Sequence, residues 1–93
     1  MERPIVAVHA KVYGRVQGVG FRYSAKRLAQ RYSVTGWVRN NFDDTVEVVC
    51  EGEKAKVTAF LQWLEKGPPG AYVSKVITRE YSLQGFEHFS IEY

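Results

Sequence analysis

The sequence predicts an α+β fold of the ferredoxin-like type, a two-layer sandwich in which an antiparallel sheet carries two helices on one face. Three observations predict it. Apolar spacing switches along the chain in the order strand, helix, strand, strand, helix, strand, with a short terminal strand added. Every strand keeps one polar face and each helix has a single apolar stripe, so each layer has one side to bury against the other. The chain has 93 residues and is 45% hydrophobic, enough for one core that removes about 60 to 65% of the unfolded chain's surface from water. A single domain over residues 1–93 is expected, without linker, low-complexity tract or useful repeat.

Residues 5–13 alternate, with Val6, Val8, Ala10 and Val12 on one face and His9 and Lys11 on the other, the pattern of a half-buried strand. From residue 21, Phe21, Ala25, Leu28, Ala29 and Tyr32 recur at helical spacing opposite Lys26, Arg27, Gln30 and Arg31. Gly36 releases the chain into a second strand around Trp37 to Asn40. Asn41 to Asp44 read as a hairpin connection, and the third strand sets Val46, Val48 and Cys50 against Glu47 and Glu51. A second helix is predicted over residues 53–66, striped by Val57, Phe60, Leu61 and Leu64 and stopped by Gly67-Pro68-Pro69-Gly70. Strands follow at about 72–81 and 86–93, the last with Phe89, Ile91 and Tyr93 on one side.

Composition narrows the function classes. The longest apolar run is far short of the roughly 18 residues of a membrane span, and Met-Glu-Arg-Pro opens no signal-peptide pattern, so a cytoplasmic protein with no membrane role is expected. One cysteine, Cys50, cannot form an intrachain disulfide, and no His/Cys cluster has metal-ligand spacing. These spacings give no expectation of a metal site. The net charge of +3 conceals an asymmetry: residues 3–42 contain eight Lys and Arg and no Asp or Glu. That half attracts anions.

Within it lies Gly14-Arg-Val-Gln-Gly-Val-Gly-Phe-Arg22, three glycines between a strand and a helix. Glycines let backbone N–H groups turn toward an anion, and a helix N-terminus adds unpaired donors and positive potential. Arg22 breaks a local rule, because a cation in the first helical turn opposes the helix dipole. Its planar guanidinium can grip two phosphate oxygens at once. The loop is neither of two common nucleotide cradles: a P-loop needs Lys and then Ser or Thr after its last glycine, whereas Val19 follows Gly18 and Phe21 follows Gly20, and Tyr23 stands where GxGxxG needs its last glycine. Asn40 and Asn41 are the only asparagines, both at the end of the second strand. A carboxamide can orient a water without removing its proton. The helical crossover makes the first two strands parallel neighbours, which puts the loop and Asn40 on one rim. His9 and His88 read as surface residues and Cys50 as core, so no nucleophile, base and carboxylate constellation is visible. Tyr23 and Trp37 are placed to border the loop.

The motif GxVQGVxFR, followed about fourteen positions on by GWVxN, resembles acylphosphatase. The resemblance covers essentially the whole chain, including the Gly67-Pro68-Pro69 stop and the closing Phe89 to Tyr93. It implies hydrolysis of the carboxyl-phosphate bond of acyl phosphates, without metal or cofactor. It also implies that Arg22 binds phosphate, that Asn40 orients the attacking water, and that backbone N–H groups of Arg15, Val16, Gln17, Gly18, Val19 and Gly20 form the phosphate cradle. The position of Gly20 often carries a bulky side chain in relatives, so a more open rim is expected here. The expected partner is a small acyl phosphate, with no nucleic acid, and the expected state is a monomer.

The alternative is a non-catalytic ferredoxin-like module that binds RNA or another ligand. An RNA-recognition module shares the element order, but its aromatic RNP1 motif belongs on a strand, whereas Gly18 to Tyr23 fall in the loop and helix start. A further alternative is an accessory domain like the similar module fused to carbamoyl-transfer maturation proteins. The length of 93 residues favours the free enzyme.

Overall fold

The computed structural model describes residues 3–93, and Met1 and Glu2, the start of the Met-Glu-Arg-Pro segment, lie outside the described residues. The chain folds as β1 (Ile5–Arg15), α1 (Phe21–Arg31), β2 (Thr35–Asn40), β3 (Val46–Glu53), α2 (Lys54–Lys66), β4 (Tyr72–Glu80) and β5 (Phe89–Glu92). The predicted order holds element for element. Alternation and helical spacing read it correctly because each element buries only one side.

The five strands form one sheet in the order β4-β1-β3-β2-β5. β1 is antiparallel to both β3 and β4, and β2 is antiparallel to β3. Two expectations are corrected. β1 and β2 point the same way but are not neighbours, because the tight Asn41 to Thr45 turn lays β3 directly beside β2 and fills the gap left by the α1 crossover. The sheet is also not wholly antiparallel, since β5 pairs in parallel with β2 at the edge opposite β4.

To reach that far edge, residues 81–88 cross the sheet, and buried polar contacts guide them. Tyr81 N–H donates to Ala7 O at one side and Gly36 N–H to His88 O at the other, both at 3.0 Å. Between them the Glu51 carboxylate, only 7% exposed, accepts the N–H groups of Gln84 at 2.7 Å and Gly85 at 3.0 Å. A buried carboxylate is tolerable only with such donors, and here it fixes the path of the crossing segment.

Both helices cover the same sheet face. Ala25 and Ala29 of α1 and Val57, Phe60 and Leu64 of α2 form one buried cluster with Ala10, Val12, Val38, Val46 and Val48 of the sheet. Phe60 meets Phe89 edge-on at 5.7 Å between ring centroids, and Phe21 packs against Trp63 at 5.4 Å. Such pairs add about 0.5 to 1.5 kcal/mol beyond their burial. Cys50 is fully buried in this core, and burial pushes its thiol up to about 12. It is chemically inert at neutral pH, as the sequence suggested. Gly67 ends α2, its N–H closing on Trp63 O at 2.8 Å. Among the described residues no helix is long and apolar enough to cross a membrane.

Candidate active site

β1 ends at Arg15 and α1 begins at Phe21, so residues 16–20 form a five-residue loop over the end of the sheet. Gly18 and Gly20 both take left-handed backbone angles, with φ of 76° and 75°, and a Cβ at either would meet nothing within 4 Å. Glycine is therefore needed for conformation rather than for space. Gly20 is the N-cap of α1 with no side-chain cap, and the first turn contains no acidic residue. Among the described residues no protein oxygen accepts a hydrogen bond from the N–H groups of Val16 to Gly20. The loop and the open helix end therefore offer a concave set of free donors with positive potential.

A cleft of about 250 Å³ opens there, lined by Val16, Gly18, Gly20, Phe21, Arg22, Tyr23, Asn40, Ile91 and Tyr93. Arg22, in the first turn of α1, and Asn40, at the end of β2, share it although β3 separates β2 from the strand that leads into the loop. Arg22 is half-buried, makes no ion pair among the described residues, and lays its guanidinium 4.9 Å from the centroid of the Tyr93 ring. That contact orients the cation while leaving its N–H groups free. Asn40 Oδ1 is, among the described residues, the one buried side-chain polar atom without a hydrogen-bond partner. An orphaned buried acceptor costs about 1 to 3 kcal/mol, and such sites are where folds give up stability for function.

The remaining site residues divide. Arg15 is the last residue of β1, opposite Tyr72 in the β4 ladder, and its side chain is exposed, so it belongs to the strand rather than to the loop. Val16 is buried in the core and lines the cleft, whereas Val19 packs against the core and does not line the cleft. Gln17 does not line the cleft: its side chain reaches the β2-β3 turn, where Nε2 donates to Asn41 O at 2.8 Å and to Thr45 O at 2.9 Å. Tyr23 borders the cleft as expected, but Trp37 does not; it lies on the other sheet face beneath Arg39, 4.9 Å from its ring. Ile91 and Tyr93 were missed as site residues. Their one signal was the alternation that put Phe89, Ile91 and Tyr93 on a single face; the parallel pairing with β2 carries that face to the cleft.

The turn beside Asn40 is tightly held. Asp43 accepts from the Thr45 hydroxyl at 2.5 Å and the Thr45 N–H at 3.2 Å, and pairs with Lys11 Nζ at 2.9 Å. The Thr45 hydroxyl first, then Lys11, holds the Asp43 carboxyl at about 2, below its ordinary 3.8. The native state thus prefers the ionised form, so its contribution is complete above about pH 4 and disappears as pH falls through 2. Urea midpoints are expected to drop between pH 4 and pH 2 in the wild type, and to drop less in Asp43→Asn. An unchanged acid limb in the variant would show that the Asp43 contacts do not stabilise the turn.

His9 departs from the surface reading. Its side chain is 12% exposed, shares a 2.6 Å hydrogen bond with Glu47, and stacks on Tyr81 of the crossing segment. Burial pushes the Glu47 carboxyl up, but the hydrogen bonds from His9 and Arg39 outweigh it and leave Glu47 below its ordinary range. This network lies on the sheet face away from the helices and contributes no residue to the cleft.

Comparison with known proteins places these features. A family model described as Acylphosphatase matches residues 8–91. The chain belongs to the acylphosphatase family. An acylphosphatase of Thermococcus kodakarensis is 46% identical over 86 residues, covering 92% of this chain and 94% of that protein. The crystal structure of acylphosphatase from Bacillus subtilis superposes with a TM-score of 0.92 at 36% identity, covering 97% of this chain and all of that one. The same acylphosphatase fold occurs within full-length HypF, where the match has a TM-score of 0.91 at 30% identity and covers 12% of that longer chain.

Proposed function

We propose that this member of the acylphosphatase family hydrolyses the carboxyl-phosphate bond of acyl phosphates in the cleft between residues 16–22 and Asn40. One observation carries the assignment of roles: Asn40 Oδ1, a buried acceptor with no partner among the described residues, shares a cleft with an arginine that makes no ion pair among them, at an open helix N-terminus. The arginine and the amides fit a phosphoryl group, and the acceptor fits a water beside it.

In this reading the loop N–H groups and the Arg22 guanidinium bind the non-bridging phosphoryl oxygens. Asn40 Oδ1 accepts a hydrogen bond from a water and holds it in line with the acyl oxygen. The water oxygen bonds to phosphorus as the bond from phosphorus to the acyl oxygen breaks. The bonding pair leaves with the carboxylate, and a water proton passes to a phosphate oxygen, giving a carboxylate and dihydrogen phosphate. A carboxylate is a good leaving group, so positioning and charge stabilisation suffice without a strong side-chain base. Residues 1–93 act as one domain and as a monomer, with a small acyl phosphate as partner.

Release of inorganic phosphate from acetyl phosphate in the presence of a metal chelator tests the reading. Turnover that persists in the chelator is expected. No release, or release only on adding a divalent metal, would sink it.

A further inference from the structure

The strand order raises a geometric question about the site. β3 lies between β1 and β2, so the phosphate loop at the end of β1 and Asn40 at the end of β2 are not held together by a shared ladder. Two groups that must meet one substrate from non-adjacent strands need a direct tie, because misplacement by about 1 Å can cost 100-fold in rate. Among the described residues the side-chain hydrogen bonds that join residues 16–20 to the end of β2 and its turn are the two made by Gln17.

Their arrangement is that of a clamp. A carboxamide nitrogen has two protons, and Gln17 Nε2 spends one on Asn41 O and one on Thr45 O. Those two carbonyls are already engaged across the mouth of the turn, Thr45 O by Asn41 N–H at 2.9 Å and Asn41 O by Asp44 N–H at 3.3 Å. Gln17 therefore docks onto a preformed rigid unit rather than onto a loose loop. Its chain neighbours Val16 and Gly18 line the cleft, and Asn41 directly follows Asn40. The clamp runs from the middle of the phosphate loop to the residue next to the proposed water ligand.

We propose that Gln17 is a positioning residue that sets the separation between bound phosphoryl group and the water held by Asn40. This rests on the proposed function of the cleft. The Gln17 side chain touches neither substrate nor water; it acts through the turn. Its loss changes the alignment of water with phosphorus while leaving the loop amides and Arg22 able to hold phosphate.

Gln17→Glu provides the test, because it keeps the shape while an ionised carboxylate facing two carbonyls can donate nothing. Near pH 8 its kcat on acetyl phosphate is expected to fall by about 10- to 100-fold, with the dissociation constant for inorganic phosphate within threefold of wild type. Protonation returns one donor, so the ratio of variant to wild-type kcat is expected to rise as pH is lowered toward 5. Gln17→Met, similar in length and without donors, serves if the first variant does not fold, and is expected to lose kcat with no recovery at low pH. Unchanged kcat in a folded variant overturns the proposal, as does a parallel loss of kcat and phosphate binding or a variant ratio that is flat with pH in Gln17→Glu. The wild type run beside them separates the two readings, since failure of wild-type hydrolysis counts against the cleft's function and not against the clamp.

Discussion

Arg22→Ala is expected to lower kcat/KM for acetyl phosphate by about 1000-fold or more, the scale on which a single arginine stabilises phosphoryl transfer. Both KM and kcat should suffer, because in the proposed mechanism the guanidinium contacts phosphoryl oxygens in the ground state and in the transition state alike. The fold should not suffer with them. Arg22 makes no ion pair among the described residues and stands in a first helical turn that contains no acid, where a positive charge opposes the dipole by about 0.3 to 1 kcal/mol. A urea midpoint equal to or above that of the wild type, together with the kinetic loss, is the combined expectation. Retained hydrolysis would remove Arg22 from the site, and a lower midpoint would mean that its stacking on Tyr93 matters more to stability than the dipole does.

Asn40→Ala is expected to lower kcat by about 100-fold or more, as when one oriented hydrogen-bonding group is deleted from an active site. KM should change little, since in the proposed mechanism other groups grip the phosphate, and that split separates Asn40 from Arg22. Stability again moves against activity: the substitution deletes the orphaned Oδ1, whose burial costs about 1 to 3 kcal/mol. Steady-state kinetics beside a denaturant melt would measure both. A KM rise as large as the kcat loss would make Asn40 a phosphate ligand instead.

These two residues could be picked out from the chain because their oddness is local. Arg22 breaks a helix-dipole rule that can be applied to any first turn, and Asn40 stands at a strand end whose turn is spelled out by the residues after it. The elements were equally legible, since alternation in residues 5–13 and the stripe of Val57, Phe60, Leu61 and Leu64 each report one buried side. Periodicity says which side of a strand is buried but not which strand lies beside it. The neighbours of β1 and β2 were misjudged for that reason, and so was the direction of β5.

The contribution of Tyr93 follows the same pattern. Alternation placed it on the apolar side of the last strand, yet its contact with Arg22 depends on residues 81–88 crossing the sheet so that β5 lies parallel to β2. That path hangs on Glu51, which a sequence reading takes for an ordinary exposed strand carboxylate. Its burial under Gln84 and Gly85 exists only once partners 33 and 34 positions further along the chain have folded back.

The short-range chemistry of residues 14–22, the order of the elements and the family were therefore written in the chain, because glycine backbone freedom, a helix start and apolar periodicity all act within a few residues. Three matters depended on folding: the insertion of β3 between the strand that leads into the phosphate loop and the strand that ends in Asn40, the arrival of Tyr93 over the guanidinium, and the clamp from Gln17 to a turn 24 and 28 residues away. Each is a contact between segments distant in sequence, and its energy appears only when the sheet has set their register.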